Sequence, residues 1–265
     1  MNVLFLLTTI LFILMLVIGG KKGVRSFVSL FLNFGVVVFT VFLMSDPHAN
    51  PIIITIIACA VISCINLFFI NQVNKKTITA FLSSIITITI LILFIYIVTK
   101  KTMIQGFGEE EIEELSVFSL YLGVDFVKIA AGVIIMSTIG AITDVAISIT
   151  SPMEEVLYHN PDISRKKLFL SGMTIGKDIL GSNTNTLFFA FIGGYMALLI
   201  WFKDLSYSFG QVVNSKIFAS EMIIICTAGI GIALIIPIAS SINAAYLIKK
   251  REKAHKDETN IPQSD

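Results

Sequence analysis

Two polar stretches interrupt a largely apolar sequence, and their charged residues are the ones that could do chemistry. The first, residues 137–155, contains Asp144, and the second, residues 172–186, contains Lys177 and Asp178. An ionised side chain at the centre of a bilayer costs at least about 2.5–3.5 kcal/mol on insertion scales. Such residues therefore mark a water-filled path, a binding site or an internal ion pair. We expect the two stretches to face each other and to form the working site.

The spacing of the polar residues places each set on one helical face. In the first stretch Ser137, Gly140, Asp144, Ser148, Ser151 and Glu155 follow one another at intervals of three or four residues, which is the repeat of a helix. In the second stretch Thr174, Asp178, Gly181 and Asn185 repeat the pattern. The candidate residues for a substrate or ion path are Asp144, Ser148, Lys177, Asp178, Asn183, Asn185 and Thr186.

A hairpin about Pro161 brings the charges level, because Asp144 lies seventeen residues before it and Asp178 seventeen after. Lys177 is the natural counter-charge for either carboxylate, so a buried ion pair that locks the two helices is one interpretation. The surplus of other polar residues favours a path instead. Three asparagines elsewhere are predicted to make interhelical hydrogen bonds: Asn33, Asn66 and Asn243.

Glycine and proline predict irregular backbone at several points. Gly172, Gly176 and Gly181 indicate a broken helix of the kind that lines transporter sites. Pro152 predicts that the helix before it ends near Thr150 and that a short new helix begins at Ser151. Two further positions are candidates for close helix packing and for a kink: Gly140 and Pro237.

The elements that carry these residues are membrane spans. The 265-residue chain is 55% hydrophobic and only 14% charged, against about 25% charged in soluble domains. We predict an all-α, polytopic transmembrane bundle in residues 1–248, followed by a charged, disordered tail in residues 249–265. Runs long enough to cross about 30 Å of hydrocarbon give seven spans, at residues 3–18, 26–44, 51–70, 77–99, 123–150, 172–201 and 217–245.

Lysine and arginine predict the orientation of these spans. Basic residues cluster at 21–25, 75–76, 165–167 and 249–256, which all lie on one side if there are seven spans. The positive-inside rule makes that side cytoplasmic and puts the N-terminus outside. An acidic run at 109–114 falls on the outer side and is typical of a solvated segment.

Several functional classes are disfavoured. Cys59, Cys64 and Cys226 lie in apolar runs, and the three histidines are scattered, so no metal site, disulfide framework or cofactor is predicted. The near-neutral charge of +1 gives no argument for nucleic-acid binding. Zinc-protease, nucleophile-elbow and phosphate-loop motifs are missing. An enzyme that uses Asp144 and Asp178 as a proton-sharing pair is therefore the least favoured reading, and we expect a protein that is not an enzyme.

At residues 140–156 and 172–187 the chain resembles the YibE/YibF-like family of bacterial membrane proteins. The matching residues are Gly140, Asp144, Ser148 and Ser151 in the first segment, and Gly176, Lys177, Asp178, Gly181, Asn185 and Thr186 in the second. An Arg is commoner in the family at the position of Lys177. The resemblance implies a multi-pass protein of the bacterial cell membrane, often presumed to be a permease. The chain is similar to the shorter, YibF-type members, which implies a homo-oligomer or a complex with a YibE-type chain.

The function predicted from these features is a transporter or permease subunit of unknown substrate. The alternative is a membrane assembly partner that carries no solute, whose polar motifs lock helices or bind a YibE-type chain.

Overall fold

The computed structural model describes residues 3–46, 48–106 and 125–259, and all regular structure in these ranges is helical. The helices are α1 (Val3–Met44), α2 (Pro51–Cys64), α3 (Lys75–Thr102), α4 (Phe126–His159), α5 (Arg165–Gly194), α6 (Met196–Asp204), α7 (Phe209–Asn214) and α8 (Lys216–Thr259). A π-helical turn, Ile65–Phe69, continues α2.

Five of these helices are long and apolar enough to cross a membrane: α1, α2 with its π-helical turn, α3, α4 and α8. The pair α5 and α6 passes the same test jointly, with a bend of 51° between them. The predicted all-α fold is therefore confirmed, with five or six candidate membrane spans among the described residues, and the count of seven stays a prediction.

Helix α1 reverses direction at Gly20. That residue has φ +53° and ψ −133°, a conformation that glycine adopts far more readily than other residues. The rings of Phe12 and Phe27 lie 4.9 Å apart, whereas fifteen residues of straight helix would separate them by roughly 22 Å. Gly23 lies directly against the carbonyl of Met15, where no side chain would fit. The element is thus two antiparallel arms, as the separate runs at 3–18 and 26–44 predict.

The centre of the bundle is the contact between α4 and α8. Ile142, Val145 and Ile149 of α4 and Ile232 and Ile235 of α8 have no exposed surface. Gly231 lets the helices approach closely, since a Cβ there would lie 2.9 Å from Thr138 Cγ2 and 3.0 Å from Ile142 Cδ1. Helix α3 packs on the same pair, and α5 packs mainly on α8.

Buried asparagines join the helices. Asn243 of α8 donates to the carbonyl of Thr150 in α4 at 3.2 Å and accepts from the hydroxyl of Thr79 in α3 at 3.2 Å. Asn33 of α1 donates to the side-chain oxygen of Asn66 in the π-helical turn at 2.7 Å. The predicted interhelical hydrogen bonds of Asn33, Asn66 and Asn243 are therefore confirmed.

Two predicted helix interruptions are wrong. Helix α4 continues through Pro152 to His159, so no new helix begins at Ser151. The buried contact of Met153 with Gly172 stabilises the helix across a proline that removes one backbone hydrogen bond. Helix α5 is continuous over its glycines, and the break comes later, at Tyr195. Pro237 lies inside the continuous helix α8, and the kink expected there stays a prediction.

The predicted disordered tail is also partly wrong, because α8 extends to Thr259. Arg251 anchors this extension, since one guanidinium nitrogen donates to the carbonyls of Pro161 and Ile163. The last six residues, the acidic run at 109–114 and the start of the predicted fifth span at 123–124 lie outside the described residues.

Candidate functional site

The polar face of α4 exists as predicted, and it points away from the bundle. Ser137, Gly140, Asp144, Ser148 and Glu155 are all exposed, while Ser151 is half-buried. The residues beside them on the helix are buried, including Thr143, Val145 and Ala146. Helical spacing thus identified the members of the face correctly, and the structure adds that the described part of the chain leaves most of the face exposed.

The polar face of α5 has the same character. Thr174, Lys177, Asp178, Gly181, Ser182, Asn185 and Thr186 are exposed, and Asn183 is half-buried. The opposite side of the helix is closely packed, because a Cβ at Gly176 would overlap the side chain of Ile236 in α8. Gly172 is similarly close to Ser240 of α8 and to Met153 of α4. Gly172 and Gly176 therefore allow α5 to pack closely against its neighbouring helices. Gly181 instead lies on the exposed polar face of α5.

The charged residues of the two faces are not paired. Among the residues that the structure describes, no ion pair or hydrogen bond joins Asp144 to Lys177 or Asp178, and none of the three side chains has another such partner. A buried lock between Asp144 and Lys177 is therefore absent from this arrangement. Helix α8 packs against both α4 and α5, more extensively than these two helices pack against each other.

The two faces leave room beside their charges. A Cβ built at Gly140 or at Gly181 would meet no atom within 4 Å. Gly140 precedes Asp144 by one helical turn and Gly181 follows Asp178 by one, so each carboxylate adjoins a backbone that another molecule could approach closely.

The chemistry open to this site is that of charged and hydrogen-bonding groups. Asp144 and Asp178 are acceptors or proton carriers, Lys177 is a donor, and Asn185 and Thr186 can do both. Within the described ranges, no group of three or more His, Cys, Asp or Glu side chains could hold a metal ion.

The structure gathers one further polar cluster that sequence reasoning did not single out. Lys21, Lys22 and Arg25 follow the reversal of α1 and surround a cavity together with Lys76 and Ser151. The sequence analysis used these basic residues only to orient the spans. The signal that could have revealed the cluster is the Gly19–Gly20 pair, because a reversal there points the basic residues back toward the bundle.

Comparison with curated proteins and with solved structures finds no match to this chain. A family model described as YibE/F-like protein matches residues 7–250. That match covers most of the chain and includes both polar faces, so the protein belongs to the YibE/F-like family.

Proposed function

We propose that this protein is a subunit of a membrane transporter or permease, in which the polar faces of α4 and α5 line a path for an ion or small polar solute. The observation that carries the proposal is that Asp144, Lys177 and Asp178 are exposed and have no hydrogen bond or ion pair with any described residue. The cost of ionised groups facing hydrocarbon favours water or another protein chain against these faces.

The depth of the charges supports this proposal. Asp144 lies eighteen residues after Phe126 and fifteen before His159, which is more than about 20 Å from either end of α4. Lys177 lies twelve residues after Arg165, or roughly 18 Å into α5. Counted from the predicted span ends at Thr150 and Gly172, Asp144 lies six residues and Lys177 five residues inside the membrane, or roughly 8–9 Å along the helix. An ionised group at that depth still requires water or a partner within reach.

The proposed topology has seven crossings, with the N-terminus outside and the C-terminus in the cytoplasm. This count takes the two arms of α1 separately and takes α5 with α6 as one span. The contacts support it, because they gather the basic clusters at one end of the bundle. Lys76 pairs with Glu154 at 3.9 Å and lines a cavity with Lys21, while Arg251 bonds the turn before Arg165.

A second candidate function is an assembly partner that carries no solute. The same exposure favours it, because the small residues Gly140 and Gly181 would let a helix of another chain cover the polar faces. A second copy or a YibE-type chain would then satisfy Asp144 and Lys177. In both proposals the chain catalyses no reaction of its own.

Cysteine accessibility in a variant that lacks Cys59, Cys64 and Cys226 distinguishes the two functions. A small hydrophilic methanethiosulfonate reagent should modify Ser148→Cys and Asn185→Cys at least about tenfold faster than Leu93→Cys, because thiolates form in water and are rare in hydrocarbon. Leu93 of α3 is a matched control, since it is 68% exposed on an apolar helix. Equal, slow modification at all three positions, with efficient cross-linking of Ser148→Cys between chains, would leave only the assembly role.

A further inference from the structure

A cavity of about 410 Å³ lies at the basic end of the bundle, and it shares only Ser151 with the polar face of α4. Three parts of the chain form it: the start of the second arm of α1, the turn between the π-helical segment and α3, and one side of α4. The lining side chains with charge are Lys21, Lys22, Arg25 and Lys76.

The charge of this cavity is unbalanced. No acidic side chain lines it, and Lys21, Lys22 and Arg25 have no hydrogen bond or ion pair with any described residue. Lys76 has one acidic neighbour, Glu154, at the long distance of 3.9 Å. Four cations brought together from separate parts of the chain repel one another, and an anion between them would offset that repulsion.

Neutral donors complete the lining. Gln72 and Ser151 have side chains with no partner in the described part of the chain. Arg25 is half-buried, and its planar guanidinium can bind two oxygens of one carboxylate or phosphate group. The cavity therefore offers charged and uncharged donors, and among the described residues the one carboxylate paired with any of them is Glu154, which contacts Lys76 from outside the lining.

The turn that carries Gln72 is held in a defined conformation. Asn74 caps α3 by accepting from the backbone N–H of Thr77, and its amide donates to the carbonyl of Asn71. Asn71 in turn donates to the carbonyl of Asn66, and Gln72 itself has φ +63°. A site whose backbone is fixed in this way loses little conformational entropy when it binds a ligand.

We infer that this cavity binds an anionic phosphate group, carried either by a membrane lipid or by a soluble anion. The inference does not require transport, although Ser151 belongs to both the cavity and the polar face of α4. Basic residues near a membrane surface are ordinarily explained as solvent-exposed side chains, and this explanation suffices for Lys75. Lys75 is exposed beside Lys76 and does not line the cavity.

The test uses the full-length protein and two probes. In detergent, inorganic phosphate is titrated at constant ionic strength while thermal unfolding is followed. In parallel, native mass spectrometry measures the retention of phosphatidylglycerol and of phosphatidylcholine after purification. The test variant is Lys21→Gln with Lys22→Gln and Arg25→Gln, and the control is Lys75→Gln with Lys100→Gln and Lys101→Gln, which removes the same charge elsewhere.

We expect the wild type and the control to bind one of the anionic probes at least about tenfold more tightly than the test variant, a factor that corresponds to the loss of one charge-assisted contact. Selective retention of phosphatidylglycerol would identify a lipid headgroup, and stabilisation by phosphate would identify a soluble anion. Failure of both probes with the wild type, or equal losses in the test and control variants, would overturn the inference. If the triple variant does not fold, Arg25→Lys, which keeps the charge and loses the planar fork, must still weaken binding.

Discussion

The side-chain amide of Asn243 donates a hydrogen bond to the carbonyl oxygen of Thr150 at 3.2 Å, inside the contact between α8 and α4. The same side chain accepts from Thr79 of α3, so one amide joins three helices. Asn243 is 1% exposed. Satisfied polar groups of this kind specify how helices pack, because any other arrangement leaves a buried donor or acceptor without a partner.

Replacing Asn243 should therefore destabilise the bundle. We expect Asn243→Leu to lower the free energy of unfolding by about 1–2 kcal/mol, since both interhelical hydrogen bonds are lost. The measurement is thermal or denaturant unfolding of the purified protein in detergent. Asn185→Leu is a matched control, because Asn185 is exposed and has no hydrogen bond among the described residues. Equal destabilisation by the two variants would contradict this assignment.

The glycines of α5 should respond oppositely to alanine. Gly176→Ala should cost about 1–3 kcal/mol, because the added methyl group overlaps Ile236 and the core must shift to admit it. Gly181→Ala has open space and should be neutral, or stabilising by up to about 1 kcal/mol, since alanine favours the helix. Unfolding midpoints of the two variants, measured side by side, test the contrast, and a stable Gly176→Ala variant would disprove the close packing.

Neutralising the exposed carboxylates should leave the fold intact. We expect Asp144→Asn and Asp178→Asn each to change the free energy of unfolding by less than about 0.5 kcal/mol, because neither side chain has an ion pair with a described residue. Removing one partner of a buried pair would instead cost about 3–5 kcal/mol. The measurement is the expression level and melting temperature of the two variants, and Lys177→Met is measured in the same way. A strong loss that the double variant Asp144→Asn with Lys177→Met restores would show a dry ion pair after all.

The proposed topology predicts which positions an impermeant thiol reagent reaches in intact cells. In the variant without native cysteines, Ser45→Cys should react from outside, since it follows the second arm of α1. Lys253→Cys should react only after the cells are permeabilised, because it lies at the basic end of the bundle. Labelling of Lys253→Cys in intact cells would refute the orientation.

Helical spacing alone was sufficient to assign residues to faces in this protein. Ser137, Gly140, Asp144 and Ser148 do share one exposed face, because the α-helical repeat fixes relative angles along a chain. The repeat carries no information about which neighbour a face meets. The sequence predicted that Asp144 would lie level with Lys177 and Asp178. In the structure all three residues are exposed, and no ion pair or hydrogen bond among the described residues joins them.

The interruptions show a second limit of local reasoning. Pro152 and Gly176 favour breaks when each is considered with its sequence neighbours. In the structure, the buried contacts of Met153 with Gly172 and of Gly176 with Ile236 stabilise continuous helices. These contacts join residues far apart in the chain, so no local preference could have indicated them. The Gly20 reversal was predictable because adjacent glycines and lysines separate two apolar runs.

The reversal at Gly20 has a consequence for how the protein is made. Every buried residue of α1 belongs to the second arm, and the first arm has none. The first arm packs against the second through Phe12 and Phe27, so its placement depends on the reversal. We expect the two arms of Val3–Met44 to enter the membrane together as one hairpin, because Gly20 lets the second arm fold back on the first.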